Sequence, residues 1–599
     1  MGKLLVYLKS YWKESILAPL FKMLEASFEL FIPLVVAAII DKGIGGGNET
    51  YIFKMGGVMI LLGVIGLACS VTAQYFSAKA AVGFAAKVKS ALFHHIQELS
   101  YMEIDTLGTY AMITRMTSDM NQVQSGVNLT LRLLLRSPFV VFGAMIMAFT
   151  VNGPAALIFV VIIPLLCIVV FGIMLFNIPM YRKVQNSLDR VLGSTRENLT
   201  GARVIRAFNK QESEIKGYKE KTAQLNKLQL FAGKISGLMN PVTYVIINGG
   251  IIALLWSGAI QADRGAITQG ELTALVNYMS QILVELVKMA NLIISITKAV
   301  ACGNRIQAVF EIRPGMKYGS RPAKARGGQE EAKNSEHEPS AKEAGASARQ
   351  EEILRFDHVS LKYQNAGEES LTDLNLQVKS GDTVGIIGGT GSGKTALVNL
   401  IARFYDATEG RIFLHGADIR EYSESALRDM IGIVPQKSVL FQGTIEENLK
   451  WGKRDASLQE MNRALEIAQA AEFVKERPEG LLTPIEQGGK NLSGGQRQRL
   501  TIARAMVKEP EILILDDSAS ALDFATDAKL RRAIRDMEPM PTVFIVSQRA
   551  SSIQYADQII VLEDGRIAGT GTHEELLASC EVYQEIYYSQ FPKEGAVNA

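Results

Sequence analysis

The chain has 599 residues, with 63 Lys and Arg against 61 Asp and Glu, a net charge of +2. That balance argues against a dedicated nucleic-acid binder, which carries a strong basic excess. Hydrophobic residues at 48% and charged residues at 21% exclude a wholly disordered, collagenous or disulfide-stapled chain. The mean hydropathy of +0.13 is high for a soluble protein and points to an average over two unlike halves. Cys69, Cys167, Cys302 and Cys580 show no metal-ligand spacing, so zinc and thiol redox motifs are not supported.

The first half reads as membrane. Met55 to Ala78 is 24 residues without Asp, Glu, Lys or Arg, Ser137 to Tyr181 is 45, and Ile235 to Ala262 is 28. A helix needs about 20 apolar residues to cross a bilayer, so the longest run holds two crossings, turning at Asn152-Gly153-Pro154. Two further spans carry charges: one has Lys22, Glu25 and Glu29 in its first half, the other Glu285 and Lys288. The expected helices are six, near residues 15–40, 55–80, 136–152, 154–180, 236–262 and 272–297, within a membrane domain of residues 1–314. Lys3, Lys9 and Lys13 precede the first span and place the N-terminus in the cytoplasm. The outer loops are then short. The inner connections, about 79–136 and 182–234, are long, charged and helical in pattern, so the spans continue well beyond the bilayer. The sequon Asn48-Glu49-Thr50 in an outer loop reads as a chance match in a chain with a bacterial economy of loops. Glu285 and Lys288 share a helix face, as a polar patch in a translocation cavity or as an ion pair between helices. Glu25 and Glu29 read as interfacial.

Residues 315–350 are rich in Ala, Glu, Lys, Gly and Ser and lack large apolar side chains, the composition of a flexible linker. Residues 351–590 form a second domain, followed by a tail at 591–599. Its decisive stretch is a strand, Thr383 to Ile387, running into Gly388-Gly389-Thr390-Gly391-Ser392-Gly393-Lys394-Thr395. This is a phosphate-binding loop between strand and helix, whose backbone N–H groups and helix N-terminus receive phosphate. Lys394 is expected on the β- and γ-phosphates, the Thr395 hydroxyl on Mg²⁺, and Ala396 in the first turn beside the nucleotide. A second apolar strand, Ile512 to Leu515, ends in Asp516, placed to hold Mg²⁺.

Leu492-Ser493-Gly494-Gly495-Gln496, just before that strand, is the signature of ATP-binding-cassette (ABC) ATPases. The whole chain resembles an ABC exporter half-transporter: an α-helical membrane domain of six helices with long cytoplasmic extensions, fused to an α/β nucleotide-binding domain. The resemblance implies further roles. Tyr363 would stack on adenine. Gln436 would contact Mg²⁺ and the attacking water. Ser520 to Asp523 would cross a dimer interface. The regions Ser100 to Asp119 and Glu197 to Phe208 would form coupling helices that dock on cassettes. Each ATP in such a family lies between the phosphate loop of one cassette and Ser493, Gly494 and Gly495 of another, so two chains are required.

Three positions depart from the family pattern. Asp517 stands where a catalytic Glu is usual, one methylene short of a base that must sit within hydrogen-bond reach. Gln548 replaces the switch histidine and can neither carry a proton nor a positive charge. Glu486-Gln-Gly-Gly489 replaces the usual Gly-Glu pair. The signature, which serves the partner's ATP, is intact. The expectation is therefore a heterodimeric exporter in a bacterial cell membrane, with ATP and Mg²⁺ as ligands, membrane lipids around it and no nucleic-acid partner. This chain would hold ATP and hydrolyse it slowly at the site of Asp517, Gln548 and Gln436. Its partner half-transporter would carry Glu and His at the matching positions, and small amphipathic drugs or lipid-like compounds would be the substrate. The alternatives are a homodimeric exporter of peptides, lipids or metabolites, and a mainly regulatory membrane ATPase subunit.

Overall fold

In the computed structural model, residues 1–323, 352–364 and 366–591 are described, and they fall into two compact units. Unit one comprises residues 1–97 and 109–312; unit two comprises 98–108 and the chain from 313 onward. Most of the expected linker, 324–350, and tail residues 592–599 lie outside the described residues.

Unit one is all helical: α1 (Trp12–Ala38), α2 (Glu49–Glu98, entering unit two at its last residue), α4 (Thr109–Thr114), α5 (Met120–Leu133), α6 (Arg136–Val151), α7 (Gly153–Thr200), α8 (Ala202–Ala207), α9 (Gln211–Asp263) and α10 (Gln269–Phe310). The short α3 (Tyr101–Leu107) belongs to unit two. Six helical stretches are long and apolar enough to cross a membrane, as the sequence leads one to expect. A helix is the natural answer there, because it satisfies every backbone polar group internally. The α9 helix has 53 residues, about 80 Å at 1.5 Å per residue, against a hydrocarbon core of about 30 Å. The turn at Asn152 forms because its side chain caps α7, accepting from the Ala155 N–H at 2.9 Å, with Pro154 in the first turn.

Charges inside the spans are neutralised in pairs. Lys22 bonds Glu25. Arg136, on α6, donates to Glu29 of α1 and to Glu285 of α10, each at 2.6 Å. Glu285, 2% exposed, also accepts from Lys288 at 2.9 Å and from the Ser137 hydroxyl at 3.0 Å. The Glu285–Lys288 pair is thus one end of a chain of alternating charge that ties three helices together. Glu29, read from sequence as interfacial, is a member of that chain. At the other end of α1, the Asp41 carboxylate accepts from the Gly270 N–H at 2.8 Å and the Thr268 hydroxyl at 2.5 Å, fastening α1 to the start of α10.

Unit two is built on two main sheets. The strands are β1 (Glu352–Leu361), β2 (Leu371–Lys379), β3 (Thr383–Gly388), β4 (Glu409–Leu414), β5 (Ala417–Asp418), β6 (Ile431–Val434), β7 (Gly443–Thr444), β8 (Pro484–Ile485), β9 (Ile512–Asp516), β10 (Thr542–Val546), β11 (Gln558–Glu563) and β12 (Arg566–Gly571). The central sheet runs β12-β11-β3-β10-β9-β6, parallel except for the edge pair β11–β12. Strands β9 and β10 are buried at every residue, as continuous apolar runs in a sheet covered on both faces must be. The antiparallel sheet β2-β1-β4-β5 has one wet face, so β2 alternates buried and exposed positions.

The helices of this unit are α11 (Lys394–Ile401), α12 (Glu424–Met430), α13 (Ile445–Lys450), α14 (Leu458–Ile467), α15 (Ala471–Lys475), α16 (Gly494–Met506), α17 (Phe524–Arg535), α18 (Ala550–Ile553), α19 (His573–Ser579) and α20 (Glu581–Gln590). The start of the expected linker pairs with this domain. The Gly319 and Arg321 N–H groups donate to the carbonyls of Tyr422 and Glu421, each at 3.0 Å, and the buried Arg403 holds the Lys317 carbonyl at 2.8 Å.

Helix α3 sits on the same domain. The Tyr101 ring stacks on Phe404 with centroids 4.5 Å apart, and the Thr106 hydroxyl donates to the Gln364 side chain at 3.1 Å. The Tyr405 hydroxyl donates to the Asp105 carboxylate at 2.5 Å. Burial, and then the negative charge of Asp105, push the Tyr405 phenol well above its usual pKa.

Two substitutions test these contacts. Removing Arg136 leaves Glu29 unpaired and Glu285 short of one partner. Arg136→Met is expected to cost on the order of 3 kcal/mol in the detergent-solubilised protein, against less than about 1 kcal/mol for the half-exposed Lys288→Met, read by thermal unfolding. Tyr405→Phe keeps the ring packing and deletes one bond, so it should loosen α3 by about 1–2 kcal/mol. Hydrogen exchange should then rise in residues 101–107 and stay unchanged in β2.

Candidate functional site

The parallel ladder brings the chemistry to one edge. Ile386, Val546 and Asp516 are level across β3, β10 and β9, and Val434 of β6 lies beside Leu515. The chain segments that leave these strand ends carry the phosphate loop, Gln548, Asp517 and Gln436 respectively. They line one cavity of about 340 Å³, as do Tyr363, Thr390, Lys394 and Thr395.

The loop between β3 and α11 needs its glycines. Gly391 and Gly393 have φ of +86° and +99°. A Cβ on Gly393 would stand 2.6 Å from Leu371 Cδ2, so an added side chain meets both strain and a clash. Lys394 Nζ folds over the loop and donates to the carbonyls of Gly388 at 2.9 Å and Gly389 at 2.6 Å. Burial pulls the Lys394 ammonium below its usual pKa. An anion in the cavity would oppose that effect.

The Thr395 hydroxyl faces Asp516, with Oγ1 3.4 Å from Oδ2. Asp516 is buried, and its carboxyl is pushed up first by that burial and then by the adjacent charge of Asp517. A buried carboxylate beside a second carboxylate calls for a cation. The donors that converge here are a hydroxyl, a carboxylate and the Gln436 carboxamide, all hard oxygen ligands suited to Mg²⁺. These three side chains fit the ion that the phosphate loop implies.

Asp517 has φ +47°, a left-handed backbone that Asp tolerates better than most residues. Its N–H donates to the Val546 carbonyl at 3.0 Å, and its carbonyl accepts from the Ser520 hydroxyl at 2.8 Å. The main chain of Asp517 is therefore fixed to β10, and only two side-chain torsions remain to extend the carboxylate. Tyr363 packs its ring edge-on against Tyr405 at 5.0 Å, and burial raises its phenol pKa. The residue proposed to stack on adenine thus touches the tyrosine that holds α3.

Of the residues picked out from sequence, Tyr363, Thr390, Gly391, Gly393, Lys394, Thr395, Ala396, Gln436, Asp516, Asp517 and Gln548 line the cavity. Gly388 and Gly389 anchor Lys394, and Ser392 is buried in the loop. Ser493 to Gln496 and Asp523 are not among the lining residues. Ser493 instead opens α16 as a capping box with Gln496, and Asp523 caps α17 through Thr526 at 2.9 Å. Both are helix N-termini whose cap side chains are solvent-exposed. Sequence reasoning missed Ser370 and Ser547, which also line the cavity. Ser547 stands one residue before Gln548 and was within reach of the argument; Ser370 carries no signal.

Comparison with known proteins agrees with this architecture. Residues 15–286 match the model of the ABC transporter transmembrane region, and residues 371–520 match the ABC transporter model. An uncharacterized ABC transporter ATP-binding protein of Bacillus subtilis is 34% identical over 597 residues, covering 100% of both chains. An ATP-dependent lipid A-core flippase of Desulfotalea psychrophila is 31% identical over 501 residues, 83% of each chain. The structure of a bacterial Atm1-family ABC exporter with ATP bound superposes with a TM-score of 0.76 at 22% identity, covering 97% of this chain and 99% of that one, which establishes a shared fold. Six spanning helices, a phosphate loop at the head of a parallel sheet and relatives matched end to end lead to one conclusion: the chain belongs to the ABC transporter family, as a half-transporter with one membrane region and one ATP-binding cassette.

Proposed function

We propose that the protein is one half of a heterodimeric ABC exporter that moves amphipathic compounds, drugs or lipid-like molecules, out across a bacterial cell membrane. In this reading the ATP site built on its own phosphate loop binds Mg-ATP and hydrolyses it slowly. The observation that carries the reading is the identity of two side chains in the cavity. Asp517 and Gln548 stand with Lys394, Thr395, Gln436 and Asp516, in the positions where a longer carboxylate and an imidazole are expected.

Bound Mg²⁺ would supply charge neutralisation on the phosphates, held by Thr395, Asp516 and Gln436. Lys394 and the loop N–H groups orient the nucleotide, and Tyr363 offers a face to its base. None of these functions depends on the two altered residues, so binding survives. Hydrolysis needs a base within hydrogen-bond reach of water. The short Asp517 side chain starts from a main chain pinned to β10 and cannot recover the lost methylene by sliding. Gln548 can donate a hydrogen bond to a phosphate oxygen but brings no charge.

Three exposed surfaces support a second chain. Leu199, Val204 and Phe208 surround α8 in unit one and are solvent-exposed. In unit two, Phe441 and Trp451 stack at 4.2 Å and are exposed as a pair. The signature residues Ser493 and Gly494 are exposed on the same unit. Exposed apolar groups of this kind mark protein contacts. The amphipathic substrate class rests on the flippase relative and on a membrane unit whose span charges are largely paired with one another, leaving apolar helix surface to meet cargo.

The first test is to purify the chain alone and with its genomic neighbour and to measure ATP turnover in lipid nanodiscs. The pair should turn over ATP and the isolated chain should bind it with little turnover. Brisk hydrolysis by the chain alone would end the proposal. In the pair, Asp517→Glu with Gln548→His should raise turnover at this site by about 10²-fold, the scale of one general base, while the KM for ATP changes little. ATP-dependent uptake of labelled amphiphiles into inverted vesicles tests direction and substrate class together; uptake by channel-like, ATP-independent flux would contradict the pump.

A further inference from the structure

We infer that Gln590, the last residue of α20, is a positioning residue of the nucleotide site, acting through the main chain of the segment that carries Gln548. The inference rests on the reading that Gln548 occupies the phosphate-facing switch position. The Gln590 side-chain oxygen accepts from the Ala550 N–H at 2.9 Å, and its side-chain nitrogen donates to the Gln548 carbonyl at 2.8 Å. One planar carboxamide therefore bonds the backbone on both sides of Arg549. The orientation of the amide follows from its partners, because only one placement of O and N meets a donor and an acceptor.

Upstream, the Ser547 N–H donates to the Ile386 carbonyl of β3 at 3.1 Å, which fixes the end of the strand but not the turn beyond it; the other bonds near this segment are local or long. The Ser547 hydroxyl accepts from the Arg549 N–H at 2.9 Å, inside the turn itself. Arg531 reaches the carbonyls of Ser551 and Ser552 only at 3.5 and 3.3 Å, beyond the turn. Gln590 fastens the Gln548 carbonyl from a distant element of the chain. That element is itself rigidly seated. Tyr583 of α20 is fully buried and its hydroxyl lies 2.8 Å from His573 Nδ1 of α19. Gln584 donates to the Leu577 carbonyl at 2.8 Å. The C-terminal helix pair is thus a fixed post, and Gln590 is the arm it extends to the site.

The consequence is geometric. The Gln548 side chain leaves the main chain between the 547–548 and 548–549 peptide planes; Gln590 holds the second through the Gln548 carbonyl and steadies the next plane through the Ala550 N–H. A side chain that contacts a ligand through one hydrogen bond loses most of that bond if its backbone wanders by about 1 Å. The clamp keeps a neutral, weakly binding residue in the cavity with Lys394 and Asp516. It favours retention of bound nucleotide at a site whose chemistry is slow.

The test is a double-substitution cycle on the full-length protein in its native assembly. Release of a fluorescent ATP analogue with Mg²⁺ is followed under conditions of no turnover, for the parent, Gln590→Ala, Gln548→Ala and the double variant. Gln590→Ala should speed release about fivefold with an unchanged thermal midpoint, and it should add almost nothing once Gln548 is Ala, because residues acting as a unit are non-additive. Gln590→Glu, which keeps the acceptor and loses the donor, should release nucleotide as fast as Gln590→Ala. An equal fold-change in both backgrounds, or no change in either, overturns the inference. The readout needs no hydrolysis, so it separates from the heterodimer reading: brisk turnover by the isolated chain would sink that reading and leave this cycle intact.

Discussion

The register of the parallel sheet governs the rest of the cassette. Because β3, β10 and β9 are in step at Ile386, Val546 and Asp516, three loops, the first more than a hundred residues before the other two, leave the sheet at one edge. Parallel strands place every carboxyl end on the same side, which is why α/β proteins bind ligands there. The phosphate loop supplies N–H groups and an ammonium, β9 supplies two carboxylates, and β10 supplies Gln548. A one-residue slip in any of these strands would turn buried side chains to the wrong face and would move Asp516 away from Thr395.

That same rigidity bears on the proposed roles of Asp517 and Gln548. In a loose loop, a shorter carboxylate can be compensated by backbone movement. Here the Asp517 N–H is bonded to Val546, and the Gln548 carbonyl is bonded to α20. The site is thus stiff at both of these positions. In the proposed heterodimer, such stiffness would suit a structural role for ATP, holding two cassettes together while the other site cycles.

Unit one solves a different problem. Six of the charged side chains in the spans form a set whose charges sum to zero: Lys22, Arg136 and Lys288 against Glu25, Glu29 and Glu285. Four ion pairs join them within and between helices. Isolated charges at membrane depth are costly, and pairing lowers that cost while fixing which helices are neighbours. The order of the bundle is thereby written in electrostatics as well as in packing, since apolar surface alone does not distinguish one helix neighbour from another in lipid.

The sequence by itself determined the number of spans, the place of the cassette and the phosphate loop, and it singled out Asp516, Asp517 and Gln548, which the fold brings into one cavity. These are local patterns: an uncharged run, a strand followed by glycines and lysine, an Asp at a strand end. It could not decide whether Glu285 and Lys288 form a polar patch in a cavity or an ion pair between helices, because Arg136, the interhelical partner of Glu285, lies 149 residues away in the chain. It read residues 315–323 as linker, whereas backbone pairing with Tyr422 and Glu421, which no side-chain pattern announces, holds them to the cassette. It assigned no role to Tyr405 or Gln590. Their side chains act on partners 300 and 42 residues away in the chain, Asp105 and the Gln548 carbonyl, and such pairings exist only once the tertiary fold has closed the distance. Motifs are legible where chemistry needs contiguous residues; the contacts that aim those motifs are decided by the fold.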